Sequence, residues 1–326
     1  MILAGDIGGT STRLALFDSV GGFLRAVARD RYPSRNHSGL AEIVQAFTSV
    51  HQCELEAACF GIAGPVRDGR VETPNLPWVI EAVSLATQLR LPRVTLLNDL
   101  EANAWGVFTL DDADFATLAT GVPAAEGNAA IISAGTGLGE AGYYWDGSRL
   151  HPFASEGGHA DFAPHDELTV ELYRWLHRRY GHVSFERVVS GPGLVNIYTF
   201  LRDVKHITEP TVLTEAIRSG DPAAAISRAA LDESSDLAVA ALDLFVALYG
   251  AEAGNLALKM KATRGVWLGG GIAPKILARL TRPGFLEAFC DKGRFRSFLE
   301  AIPVRVILND ETALRGAAWY ALLSPS

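Results

Sequence analysis

"ILAGDIGGTSTRLALFDS", residues 2–19, and "AAIISAGTGLGEAGYYWDG", residues 129–147, each run from a hydrophobic strand into a glycine-rich turn and out into a second strand. Sliding one onto the other by 128 residues sets Gly9 on Gly137 and Asp18 on Asp146, but Asp6 falls on Ala134. A strand-turn-strand unit repeated at such a distance implies two related strand-rich halves. The repeat carries its acid only once.

The chain has 326 residues, 48% of them hydrophobic, which is enough for two domains with separate cores. With 29 Lys and Arg against 37 Asp and Glu, its formal charge of -8 lacks the basic footprint of a nucleic-acid binder. The N-terminus opens on a strand pattern without a basic n-region, so no signal peptide is expected. The long apolar stretch from Leu237 to Met260 contains Asp243 and Glu252, which favours a buried helix over a membrane span. Cys53, Cys59 and Cys290 include no CxxC pair, so neither a disulfide framework nor a structural zinc site is indicated. A reducing cytoplasm fits.

Outward from the first turn, Ile2–Asp6, Arg13–Ser19, Phe23–Arg31 and Ala57–Ala63 read as strands, with a helix over Leu40–Val50. Val79–Arg90 reads as helix and Val94–Asn98 as a short buried strand, after which Asp99 opens another helix. Beyond the second turn the pattern is mostly helical: Glu167–Tyr180, Leu194–Val204, Val212–Arg218 and a long segment from Pro222 to Lys261. Gly265–Leu268 and Val304–Leu308 read as strands, Pro274–Leu280 and Thr312–Leu323 as helices. The expected class is α/β with two domains. The smaller comprises residues 1–110 with 310–326 returning from the C-terminus, and the larger residues 111–309.

Glycines between strands let backbone N–H groups converge on an anion, because no side chain blocks the approach. Gly8, Gly9 and Thr10 form one such candidate cradle, Gly135, Thr136 and Gly137 a second, and Gly269, Gly270 and Gly271 a third beside a helix start. Any one alone reads equally well as a tight hairpin; three together suit a polyphosphate. Gly137–Gly142 satisfies GxGxxG, but Tyr143, Tyr144 and Trp145 continue as strand, which excludes the dinucleotide fingerprint. No GK[ST] follows, so this is not a P-loop. Asp6 is then one pole of an asymmetric site, a water-mediated ligand for a magnesium ion on the phosphates; the plainer alternative is an acceptor for turn N–H groups.

Asn98 and Asp99 lie at a strand's carboxyl end, where open α/β sheets collect ligands and where a general base for phosphoryl transfer is well placed. Asp99 is otherwise an ordinary helix cap. Glu156 and His159, three apart in "ASEGGHADF", lack a nearby third metal ligand and suit a sugar's hydroxyls better. Glu186, before "RVVSGPG", is a further carboxylate near a glycine turn, although alone it reads as a solvated helix residue. Glu140, after the second turn, must point away from any phosphates or help hold a cation.

In order, "DIGGTSTRLALFD", "FGIAGPV", "PNLPW", "LLNDLEANAWG", "SAGTGLGEA", "SEGGHADF", "ERVVSGPGL", "WLGGGIAPKI" and "ALRGAAWY" resemble the bacterial glucokinases of the non-zinc group, over nearly the whole chain. The resemblance implies the duplicated, ribonuclease H-like fold of the actin-like ATPases, with nucleotide and sugar in the interdomain cleft. It implies ATP and magnesium as cofactors, and glucose phosphorylated on its 6-hydroxyl with Asp99 as base. Asn98, Asp99, Glu156, His159 and Glu186 would bind the sugar. Asp6 would belong to the magnesium and phosphate site, Gly135–Gly137 to a phosphate loop and Gly269–Gly271 to an adenosine loop. The related ROK sugar kinases carry a cysteine-rich zinc motif after the ExxH histidine; "ADFAPHDEL" has no cysteine, so no zinc is expected. Some ROK members are repressors with a DNA-binding extension before the first strand; this chain starts on that strand, so no such role is expected. A homodimer is the expected assembly. Another hexose or another phosphoryl donor, polyphosphate or ADP, would use the same residues, and a non-catalytic sugar sensor would not need Asp99.

Overall fold

Strand β1 (Ile2–Ile7) is apolar at nearly every position and buried on both faces, as a central strand must be. A computed structural model of the chain describes residues 1–21, 23–73 and 76–324. Pro74 and Asn75 of "PNLPW" lie outside the described residues. The chain divides into two units, Met1–Asp114 with Asn309–Ser326, and Phe115–Leu308.

In the first unit, β1 is followed by β2 (Ser11–Val20), β3 (Phe23–Pro33), α1 (Leu40–Val50), β4 (Ala57–Ile62), β5 (Arg70–Glu72), β6 (Val79–Glu81), α2 (Ala82–Leu89), β7 (Val94–Asn98) and α3 (Asp99–Gly106). Its main sheet has the order β3-β2-β1-β4-β7, with β1, β4 and β7 parallel and β2 and β3 antiparallel. The outermost strand, β3, alternates half-buried and exposed residues, the period of two that suits an edge. On one face of the sheet Leu3, Ile7, Leu14 and Leu16 pack with Leu40, Ile43, Val44 and Phe47 of α1, spaced at the helical period. On the other, Ile2, Ala4, Phe17 and Leu97 pack with Ala102 of α3 and with Leu314 and Ala318 of the closing helix Thr312–Leu323. Glycines let these two helices touch: a Cβ at Gly106 would run into the backbone of Thr312, and one at Gly316 into the carbonyl of Ala102.

The second unit contains β8 (Phe115–Ala119), β9 (Ala129–Ala134), β10 (Leu138–Trp145) and β11 (Leu150–Ser155), then α4 (Glu167–Tyr180), α5 (Gly191–Asp203), α6 (Thr211–Ser219), α7 (Pro222–Leu231) and α8 (Asp236–Met260). It ends with β12 (Gly265–Gly269), α9 (Leu277–Leu280), α10 (Pro283–Cys290), α11 (Arg296–Glu300) and β13 (Val304–Ile307). The sheet order is β11-β10-β9-β12-β13-β8. Apart from the extra edge strand β8, this repeats the order of the first unit, with β1 and β9 as equivalent centres. By length and composition α8 is apolar enough to cross a membrane, yet two thirds of its most apolar stretch is buried. Leu242, Phe245 and Tyr249 sit in the core, and the Tyr249 hydroxyl donates to the Ile132 carbonyl at 3.2 Å.

Three expected helices change. Val79–Glu81 pairs with β5 as a hairpin, because β-branched Val79 and Ile80 suit a strand, so α2 starts only at Ala82. The segment from Pro222 to Lys261 breaks between α7 and α8, where Glu233 takes a positive φ and the Ser235 side chain caps α8 by accepting from the Ala238 N–H. Pro274–Leu280 is one 3₁₀ stretch, Ala273–Ile276, and a single α turn.

Candidate active site

In the first unit the parallel strands β1, β4 and β7 end on one edge of the sheet, carrying Asp6, Gly61 and Asn98. Asn98 leaves β7 in extended conformation and caps α3: its Oδ1 accepts from the Leu100 N–H at 2.9 Å and its Nδ2 donates to the Gly64 carbonyl at 3.0 Å. The cap is thus Asn98 and not Asp99, which stands in the first helical turn. Gly61 sets how close α3 comes, since a Cβ there would lie 2.7 Å from the Ala102 Cβ and 3.8 Å from the Asp99 Cα.

Asp99 accepts from the Leu100 N–H at 2.9 Å. Burial pushes its carboxyl up to about 6; the Leu100 hydrogen bond opposes the rise and the charge of Asp6 adds to it. A carboxylate in this range is ionised at neutral pH and more basic than a solvated one, which is the property a general base needs.

Asp6 does not serve the turn. Arg13, directly opposite it in the β1-β2 ladder, holds its Oδ2 through Nε at 3.1 Å and Nη2 at 2.7 Å, and reaches the exposed Asp310 at 3.2 Å through Nη1. Asp6 Oδ1 accepts no hydrogen bond among the described residues, so one oxygen remains for a cation or its water. Among those residues no three His, Cys, Asp or Glu gather as a metal cluster. A single available carboxylate fits magnesium, which keeps most of its waters and takes further oxygens from phosphate. The Gly8 N–H is committed to the Ser11 carbonyl at 3.0 Å, so of this candidate cradle only Gly9 and Thr10 keep N–H groups without a backbone acceptor among the described residues. Ser34, fully buried, pins the turn by donating to the Gly8 carbonyl at 2.8 Å.

In the second unit Gly135, Thr136 and Gly137 join β9 to β10, and the Gly135 N–H closes the turn onto the Gly137 carbonyl at 2.9 Å. Thr136 is exposed. Glu186 lies against this turn: its Oε2 accepts from the Leu138 N–H at 3.0 Å, and a Cβ at Gly137 would come within 2.6 Å of the same oxygen. The Gly191 N–H donates to the Gly135 carbonyl at 2.8 Å, so the start of α5 braces the turn as well. The third glycine group adjoins it at the end of β12. A Cβ at Gly270 would strike the Ala134 carbonyl, whereas Gly271 faces open space. Gly270 is therefore required by packing against the Ala134 backbone, while Gly270 and Gly271 are both exposed and only Gly271 has room for a side chain.

Glu156 and His159 bracket a short 3₁₀ turn, Gly157–His159, and both are exposed. Neither side chain hydrogen-bonds to another described residue. The Phe185 N–H donates to the Ala160 carbonyl at 3.0 Å, tying this turn to the segment that carries Glu186. The second unit thus gathers Glu156, His159 and Glu186 beside the second glycine turn.

Sequence reasoning missed Arg13, Ser34 and Gly61. Arg13 was legible in principle, because a hairpin folded at the first turn sets it across from Asp6. The partner in sheet packing that makes Gly61 necessary, Ala102, is visible only in three dimensions.

A family model described as Glucokinase matches residues 3–324. A glucokinase of Nostoc sp. (strain PCC 7120) is 43% identical, over 98% of both chains. The crystal structure of a glucokinase from an Antarctic psychrotroph superposes with a TM-score of 0.85 at 30% identity, covering 99% of each chain. A ROK family glucokinase from Streptomyces griseus, solved in complex with glucose and AMPPNP, shares the fold with a TM-score of 0.68 at 22% identity over 99% of each chain.

Proposed function

The chain belongs to the glucokinase family, and on that premise we propose how its residues divide the ATP-dependent phosphorylation of glucose. Asp99 accepts the proton of the sugar's 6-hydroxyl as that oxygen attacks the γ-phosphorus in line. Asn98 presents its remaining amide hydrogen to the sugar. Glu156, His159 and Glu186 take the other hydroxyls, since together they offer both donors and acceptors. Gly9, Thr10, Thr136 and Gly271 supply backbone donors to the nucleotide. Magnesium held through water at Asp6 would offset the charge on the phosphates. Water must be excluded from the reacting phosphate, because its attack would waste ATP.

The observation that carries the reading is Asp99 itself, a carboxylate at a strand end whose burial lifts it to about 6. A coupled assay with glucose, mannose, fructose and N-acetylglucosamine, run with ATP, ADP and polyphosphate, tests it. Turnover highest with glucose and ATP is the expected result; a preference of tenfold or more for another sugar or donor would replace the substrate assignment. We place the enzyme in a reducing cytoplasm, where three unpaired thiols persist, and as a homodimer, which sedimentation at assay concentration would check.

A further inference from the structure

The Glu140 side chain is turned away from solvent and forms no ion pair among the described residues. It lies on β10, opposite Ile132 and Ser155, and is 1% exposed. Its neighbour on α8, Glu252, is fully buried as well, and the charge of Glu252 bears on Glu140. Asn255 Nδ2 donates to Glu252 at 2.8 Å and Lys259 Nζ at 3.2 Å, but Glu140 Oε1 meets no donor among the described residues. Two neighbouring buried carboxylates cannot both ionise cheaply, and because Asn255 and Lys259 stabilise the charge on Glu252, the proton belongs on Glu140. Burial, followed by the charge of Glu252, raises Glu140 well above the usual carboxylate range, with Lys259 opposing.

The pair supports the turn that carries the sugar residues. Gly157 rests on the Glu140 carboxyl so closely that a Cβ would collide with Oε2, and Gly158 rests on the backbone of Leu138. Ser155 Oγ donates to the Glu140 carbonyl at 2.8 Å and accepts from the Gly157 N–H at 3.2 Å. Leu138 also donates its N–H to Glu186. The three residues Leu138–Glu140 therefore seat both the Glu156–His159 turn and Glu186, and the carboxyl of Glu140 fills the space under Gly157.

We propose that Glu140 and Glu252 form a positioning device beneath the Glu156–His159 turn, and that its integrity sets how tightly the second unit holds the sugar. This rests on the assignment of Glu156 and His159 to sugar binding. Loss of the Glu140 proton places an anion without a donor directly under Gly157, and the turn must move. The other titratable groups around the pair are Lys259 and Tyr249 on α8 and Lys292 beyond α10, with Glu156 and His159 flanking the turn on its exposed side. Lys292 is itself lowered by burial.

The test is glucose binding without nucleotide, followed calorimetrically between about pH 6.5 and about pH 9, with magnesium-ATP binding measured in parallel. The wild-type glucose Kd is expected to rise roughly fivefold or more across that range while the nucleotide Kd holds within about twofold. Glu140→Gln, which donates permanently to Glu252, is expected to flatten the glucose profile. Glu140→Ala is expected to weaken glucose roughly tenfold at every pH, as the turn loses its support. A flat wild-type profile, or a Glu140→Gln profile as steep as wild type, overturns the proposal. So does a lowered melting temperature in the variants with glucose affinity unchanged, which is what a purely structural role gives. A wild-type protein that binds no glucose sinks the sugar assignment and this inference together; glucose bound with a flat profile sinks the inference alone.

Discussion

The turns after β1 and β9 stand at equivalent points of two sheets with the same strand order, yet they are held in opposite ways. In the first, the acid is on the strand itself, and Arg13 faces it across the hairpin. In the second, the equivalent residue is Ala134, fully buried, whose carbonyl accepts from the Ile272 N–H at 3.2 Å and is packed by Gly270. The acid there comes from outside the repeat, as Glu186 accepting from the turn. A duplicated backbone does not require a duplicated charge. The third glycine group packs instead on the backbone of the residue equivalent to Asp6.

The largest effect expected from this comparison comes from copying the acid onto the wrong turn. Ala134→Asp buries a carboxylate without a cation and should lower stability by about 3 kcal/mol or more in urea unfolding. Asp6→Ala, the reverse exchange, should cost no more than about 1 kcal/mol, because Arg13 keeps Asp310 and solvent. Smaller in consequence is Asp6→Asn, which keeps the fold but is expected to lower kcat roughly ten- to hundredfold and raise the magnesium needed for half-maximal rate, with glucose affinity unchanged. Gly61→Ala should lower kcat by about tenfold, since the added methyl pushes α3 and displaces Asp99 by a fraction of an ångström. The smallest effect is on pH. Asp6 adds to the raised pKa of Asp99, so in Asp6→Asn the acid limb of the rate profile should move to lower pH by a few tenths of a unit.

The sequence disclosed the repeat, the strand ends and the polar residues on them because these are local: a strand-turn-strand pattern and an Asn-Asp pair before a helix need no tertiary information. It did not disclose what holds them. Arg13 acts through cross-strand register, Ser34 through a loop that returns to the first turn, and Gly61 through a helix docked some forty residues later in the chain. Val79–Glu81 was misread because three residues are too few to show a period. Glu140 was visible as an odd charge, but its partner Glu252 lies on a helix far along the chain, and only the core of the second unit brings the two together.

The central claim is that Asp99 is the general base and that burial tunes it. The pH dependence of kcat/KM for glucose 6-phosphate formation, measured on wild type and Asp99→Asn, tests that most directly. The wild-type rate should fall as pH drops through about 6, because the ionised form is the active one. Asp99→Asn should be slower by about a hundredfold or more, without that break. Its melting temperature should be unchanged or higher, since the raised pKa means that the ionised carboxylate costs the folded state stability at neutral pH. A variant within tenfold of wild type that keeps the same break near pH 6 would contradict the account.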